Sequence, residues 1–278
     1  MGWMNPPVTW PELERRLSAG RAQVPPGADP WPGADGGDSP AWSRKRQPYQ
    51  GSEQVRWRPA DGPAYAELHC HSNFSFLDGA SHPEELAEEA TRLGLEALAL
   101  TDHDGFYGVV RFAEAARTLG LPTVFGTELT LGVQARTTSR PVPPKADPPG
   151  DHLLVLARDP VGYARLGAAV SKAQMAGEKG APRTSLADLA AEGAPGGPAH
   201  GHWQVLTGCR KGAVARALES RGPAAAAHQL ARLVEAFGRE HVAVELWDHG
   251  QPLDSARNDA LASLAAQQGV GVVATNNV

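Results

Sequence analysis

From Ala64 onward, short apolar runs alternate with stretches of helical periodicity, and this alternation constrains the fold more than any other feature of the chain. Runs of strand character fall at 64–70, 96–101, 122–131, 152–157, 203–207, 241–247 and 270–275. Between them, residues 83–93, 107–119, 160–175, 185–192, 213–236 and 254–268 repeat their apolar positions at helical spacing. A strand that returns beside its predecessor through a helix lies parallel to it, so the pattern predicts parallel strands with crossover helices. Seven such units within roughly 215 residues predict an α/β fold of barrel type in preference to an open sheet. The glycine-rich fingerprint of a dinucleotide-binding sheet is absent.

Residues 1–62 read differently. Five of the seven tryptophans (Trp3, Trp10, Trp31, Trp42 and Trp57) lie there among many prolines and glycines. Thr9-Trp10-Pro11-Glu12 has the form of a capping box opening a short helix to about Leu17, and 24–40 has the composition of an irregular segment. The expected organisation is therefore an irregular leader over 1–62 followed by a β/α domain over 63–278. Arg44-Lys45-Arg46, beside Trp42 and Tyr49, is either a solvated linker or a contact for a nucleic acid backbone. Arg136–Pro149, rich in Pro, Thr, Arg and Lys, reads as a surface excursion between two strands. The chain stops at the end of its seventh apolar run, where a barrel expects a further loop and helix, and so reads as part of a longer protein.

A formal net charge of −5 gives no general attraction to phosphate backbones, so any DNA contact must be local or come from other parts of a larger protein. Two cysteines, Cys70 and Cys209, make no disulfide framework and suit a reducing cytoplasm. The start carries no secretion signal, and no apolar stretch approaches the ~18 residues of a membrane span.

The chemistry-bearing residues cluster at the ends of the predicted strands. In a β/α barrel, working residues sit at the carboxyl ends of strands and in the loops that follow. His69 and His71 end the first run, with Cys70 between them. Side chains alternate across a strand, so the two histidines share a face, about 6–7 Å apart, while Cys70 points into the core. Asp78 follows in the next loop, Asp102-His103 ends the second run, Glu128 falls in the third, His152 opens the fourth and Cys209 ends the fifth. Imidazole, carboxylate and thiolate together suit Zn, Mn or Fe, and a carboxylate such as Glu128 can bridge two ions. Paired metals point to phosphoester hydrolysis more than to redox chemistry. Each residue also has a plainer reading: Asp78-Gly79 as a turn, Asp102 as a helix cap, His103 as a cap or packed ring, Cys209 as a buried thiol. His82, His228 and His241 read as structural, and His200-Gly201-His202 precedes a strand, at the wrong end of a barrel. Glu245 and Asp248-His249, at the end of the sixth run, remain open.

Glu67-Leu68-His69-Cys70-His71-Ser72, followed by Phe76-Leu77-Asp78-Gly79-Ala80, resembles the first motif of the PHP (polymerase and histidinol phosphatase) domain. Ala99-Leu100-Thr101-Asp102-His103, Gly126-Thr127-Glu128, His152-Leu153-Leu154-Val155-Leu156 and Leu206-Thr207-Gly208-Cys209 are similar to its later motifs. Leu77-Asp78-Gly79-Ala80-Ser81 and the closing Ala274-Thr275-Asn276-Asn277-Val278 resemble the polymerase branch, that of the bacterial C-family replicative subunits and their error-prone relatives. The leader and the overall composition are most like the error-prone members from actinobacteria.

The resemblance implies a distorted seven-stranded barrel holding up to three divalent ions. Its ligands would be His69, His71, Asp78, His103, Glu128, His152 and Cys209, with Asn277 at a position where the family has Asp. A neutral amide binds a hard cation more weakly than a carboxylate and cannot act as a base. His103 and Glu128 are the catalytic candidates if the site is hydrolytic. The resemblance further implies a parent DNA polymerase for error-prone, translesion synthesis and repair, partnered by DNA, its remaining polymerase domains, accessory mutagenesis proteins and a sliding clamp. Within that parent the domain is either a metal-stabilised brace, which Asn277 favours, or a metal-dependent 3′–5′ exonuclease. A free-standing phosphoesterase for a small phosphate ester and a docking domain for accessory proteins are the alternatives.

Overall fold

The computed structural model describes residues 49, 63–76, 78–132, 150–178 and 180–278. Apart from Tyr49, the expectations for the leader lie outside the described residues, as does the excursion over 136–149.

The elements in chain order are β1 (Ala66–Glu67), α1 (Pro83–Leu93), β2 (Ala97–Leu100), α2 (Val109–Leu119), β3 (Thr123–Leu131), β4 (Asp151–Ala157), α3 (Pro160–Ala176) and α4 (Leu186–Gly193). They continue with β5 (Trp203–Leu206), α5 (Ala213–Arg221), α6 (Pro223–Phe237), β6 (Val242–Leu246), α7 (Asp254–Gln268) and β7 (Gly271–Ala274). The seven strands form one sheet in sequence order. After β7 the chain returns to the first edge: His71 N–H donates to the Val278 carbonyl at 2.7 Å and Val278 N–H to the His69 carbonyl at 3.0 Å. These bonds join the two edges of the sheet and curl it into the expected barrel-type fold. Among the described residues, no helix is long and apolar enough to cross a membrane.

Two expectations need correction. The strands are not all parallel, because β4 runs antiparallel to both β3 and β5. A strand that runs backwards presents its amino end where its neighbours present their carboxyl ends, so His152, at the start of β4, reaches the same mouth as His103 and Glu128. The long helix expected over 213–236 is two helices, broken at Gly222-Pro223. Gly222 adopts φ +85° and Pro223 has no N–H to continue the ladder, so the second helix starts afresh with proline in its first turn.

Alternation sorts the strand side chains into two layers. Leu98 and Leu100 of β2 pack outward with Cys70 against Ala87, Ala90, Phe112 and Ala116 of α1 and α2. Val155, Val205 and Val244 pack outward with Trp203, Leu230 and Phe237. Ala99, Leu154, Leu156 and Leu206 point inward and fill the barrel, joined by Val124, Ala243 and Val273. On strands with a two-residue period, the positions that share the inward face nearer the mouth are Glu128, His152, Glu245 and Thr275. The apolar plug thus forms the floor of a polar site.

Candidate metal centre

Glu128 is the hub. It is 1 % exposed, and its carboxylate faces four imidazoles. His69 Nε2 and His152 Nδ1 lie 3.4 and 3.2 Å from Oε1, and His71 Nε2 and His103 Nδ1 lie 3.2 and 3.3 Å from Oε2. Cys209 Sγ completes the inner group, 3.6 Å from Glu128 Oε1 and 4.0 Å from His152 Nδ1. Asp78 Oδ2 sits on the outer side, 3.1 Å from His71 Nδ1 and 3.0 Å from His103 Nε2. All seven residues expected from strand ends and their loops therefore converge on one place. Asn277 adopts φ +48° and buries an Oδ1 without a hydrogen-bond partner.

Local chemistry holds these residues in place. Asp102, for which a helix cap was the plainer reading, does not cap α2, which begins after Gly108. Its buried carboxylate instead accepts from Ser72 N–H and Oγ–H at 2.8 Å and from Ser75 Oγ–H at 2.7 Å, tying the loop after β1 to the end of β2. Ser75 Oγ in turn accepts the His103 N–H at 3.1 Å. Glu67 pins His69 from the other side by accepting its N–H at 2.8 Å and that of Asn276 at 2.9 Å. Gly79 lets the Asp78 loop fold back, since a Cβ there would lie 2.0 Å from the Ser72 carbonyl oxygen.

The donor set fits metal ions. His69 Nε2, His71 Nε2 and His103 Nδ1 are buried and make no hydrogen bond, although each is within 3.4 Å of the central carboxylate. Nitrogens that crowd a carboxylate without hydrogen-bond geometry are arranged around a shared centre, not bonded to one another. Three overlapping groups have ligand atoms within 4.8 Å of each other: His69–His71–Glu128, His71–Asp78–His103 and His103–Glu128–His152. A neutral imidazole offers one lone pair. His71 and His103 each turn one nitrogen towards Glu128 and the other towards Asp78, so each can complete only one of the groups it joins. His69–His71–Glu128 and Glu128–His152–Cys209 can fill together with Glu128 as the bridge. A third position beside Asp78 then keeps Asp78 and His103.

Without metal, the cluster behaves as a buried ionic network. Burial disfavours charge on His69, but the Glu245 and Glu128 carboxylates outweigh it and hold the ring well above its ordinary range. His71 is likewise raised, burial being outweighed by Asp78 and Glu128. Burial alone would raise Glu128, yet the surrounding imidazoles hold it well below the usual carboxylate range. His103 and His71 hold Asp78 low. Burial pushes both the Cys70 and Cys209 thiols up.

Cys70 packs into the core as expected. His82 opens α1, its N–H donating to Glu85 at 2.8 Å. His200 does meet Glu240 and His241, with ligand atoms within 4.8 Å, at the amino ends of β5 and β6. There Arg158 Nη1 lies 3.3 Å from His241 Nδ1, which must accept; the His241 proton then sits on Nε2, facing Glu240 at 3.5 Å. No lone pair remains on that ring for an ion. Glu245, left open in the sequence, is fully buried with Oε1 2.6 Å from His69 Nδ1. The signal for it was its place two residues beyond Ala243, on the inward face next to the mouth.

A barrel-type sheet whose strand ends gather histidines around one carboxylate is the architecture of the PHP domain, and that family matches residues 67–249. The chain belongs to the PHP domain family. It is 54 % identical over 276 residues to the error-prone DNA polymerase of Mycolicibacterium paratuberculosis, covering 99 % of this chain and 24 % of that protein. The error-prone DNA polymerases of Mycobacterium bovis and Nocardia farcinica are 56 % and 50 % identical, again over 99 % of this chain, and 24 % and 26 % of their lengths are covered. The chain thus spans about a quarter of the length of the curated relatives it matches. Among solved structures, a Bifidobacterium adolescentis protein classed as a metal-dependent phosphoesterase shares the fold, with a TM-score of 0.51 and 20 % identity over 79 % of this chain and 88 % of that one.

Proposed function

We propose that this chain is the metal-binding PHP domain of an error-prone DNA polymerase used in translesion synthesis and repair, and that it acts there as a metal-stabilised brace. The observation that carries the reading is the convergence of four imidazoles and Cys209 on the buried Glu128, in a chain more than half identical to actinobacterial error-prone polymerases. In this reading His69, His71, Glu128, His152 and Cys209 hold two divalent ions (Zn, Mn or Fe), and Asp78 and His103 hold a third more weakly. The leader over 1–62 and the barrel over 63–278 are separate parts, the leader being a contact for other polymerase domains or accessory proteins. DNA and a sliding clamp are partners of the whole polymerase in the cytoplasm.

The brace is preferred to an exonuclease because an amide stands at Asn277, and a neutral amide binds a hard cation weakly and cannot act as a base. Error-prone synthesis also gains little from proofreading. The hydrolytic alternative draws on the same hub: bound ions would activate water and neutralise charge on a phosphoester. His103 and Glu128 would be its catalytic candidates, with Glu128 fixing the spacing of the two positions.

Elemental analysis of the purified chain and of a His69→Ala/His71→Ala variant tests the reading. Two or three ions per chain, lost in the variant, are expected; no metal in either protein, with the fold intact, overturns it. Release of nucleotides from the 3′ end of single-stranded DNA by the metal-loaded chain would overturn the brace in favour of the exonuclease.

A further inference from the structure

We propose that Glu245 is a positioning residue for the metal centre: its carboxylate accepts a hydrogen bond from His69 Nδ1–H and so commits the Nε2 lone pair of that ring to the first ion. The inference rests on the metal-binding reading above and adds a residue that the ligand set does not contain.

His69 and Glu245 are both fully buried, and the His69 Nδ1 to Glu245 Oε1 distance is 2.6 Å. The same oxygen accepts from Thr275 Oγ at 2.6 Å, and the backbone of Glu245 is anchored where its N–H donates to Thr207 Oγ1 at 3.0 Å. The acceptor is therefore fixed by β6, by the end of β5 and by the segment after β7 before His69 meets it. On the far side of the ring, Nε2 makes no hydrogen bond and lies 3.4 Å from the hub carboxylate. A histidine with one nitrogen given to a fixed carboxylate and the other bare towards a cluster of ligand atoms has the geometry of a carboxylate–histidine–metal relay. Such a partner sets the tautomer, orients the ring and raises ligand basicity.

Glu245 itself is not placed as a ligand. It belongs to none of the groups of ligand atoms around Glu128; its Oε1 is shared between His69 and Thr275, and its Oε2 is buried without a hydrogen-bond partner. The carboxylate charge matters as well as the hydrogen bond. A glutamine can still accept from Nδ1–H through its amide oxygen, but it adds no negative charge to the imidazole and can rotate to present NH2 instead.

The test is zinc affinity measured by competition with a chromophoric chelator on the 278-residue chain, in wild type, Glu245→Gln and Thr275→Val. Glu245→Gln is expected to weaken the first zinc by about 10–100-fold while circular dichroism stays unchanged, the size typical of a lost outer partner. Thr275→Val removes the other bond to the same oxygen and is expected to stay within about threefold of wild type, which separates orientation of His69 from general packing around Glu245. Zinc bound by Glu245→Gln as tightly as by wild type overturns the proposal and leaves the metal reading standing. A wild type that takes up no zinc overturns the metal reading, and this inference falls with it.

Discussion

Replacing Glu128 with glutamine removes the hub charge while keeping the side-chain shape, and two consequences can be sized from the structure. In the metal-free chain, deleting one member of a buried ionic cluster costs about 3–5 kcal/mol. The loss here should fall near the lower end, because Glu245 still faces His69 and Asp78 still faces His71 and His103. For a domain of this size, about 3 kcal/mol corresponds to a fall in Tm of about 6–12 °C. In the metal-loaded chain the effect is sharper. Both of the positions that can fill together, His69–His71–Glu128 and Glu128–His152–Cys209, lose their shared ligand at once. The assay is thermal unfolding of the chelator-treated protein near neutral pH, paired with zinc content after dialysis. Wild type is expected to keep about two zinc ions, one for each of these positions, and Glu128→Gln neither. A variant that keeps its zinc, or whose metal-free Tm stays within about 2 °C of wild type, refutes the view of Glu128 as a bridging hub.

Two further outcomes follow from the same geometry. In the metal-free chain, His69 and His71 lie above their ordinary value of 6.5, so their contribution is complete below it and is lost as pH rises through the folded values. Glu128 lies below its ordinary 4.5, so its contribution is complete above that pH and is lost as pH falls further. Chelator-treated protein should therefore gain more from this cluster at about pH 5.5 than at about pH 8, whereas zinc affinity should rise with pH because zinc competes with protons for the imidazoles. A metal-free Tm that climbs steadily from about pH 5.5 to about pH 8, tracked by circular dichroism, counts against the paired network. The two cysteines give a built-in contrast. Cys209→Ala should weaken the second zinc with little change in metal-free stability, whereas Cys70→Ala, set among α1 and α2 residues, should cost about 1 kcal/mol and leave zinc content alone. Equal zinc loss in both variants would contradict the assignment of faces.

Much of the site was legible because strand alternation is a local rule. His69-Cys70-His71 already states that two histidines share a face and the cysteine takes the other, and the core contacts of Cys70 agree. The strand runs were read to within a few residues, and α1 and α7 at their full bounds, because apolar periodicity is written within a dozen residues, helped in α1 by proline in the first turn. The break at Gly222-Pro223 was also written locally, but a continuous apolar stripe across it read as one helix. The role of Asp102 was not written locally, because the serines whose N–H and O–H groups its carboxylate accepts lie on the loop after β1.

The sequence by itself determined the alternation of strands and helices, and the shared face of His69 and His71 with Cys70 turned to the core. Hydrophobic periodicity and ligand chemistry are properties of neighbouring residues, and they survive without knowledge of the rest of the chain. Only the tertiary structure decided the direction of β4, which turns His152 from the wrong end of a strand into a member of the cluster. It also decided the division of nitrogens between Glu128 and Asp78, and the meeting of His69 with Glu245 across 176 residues of chain. Strand direction and long-range pairing depend on how the curled sheet closes on itself, and no periodicity within one segment records that.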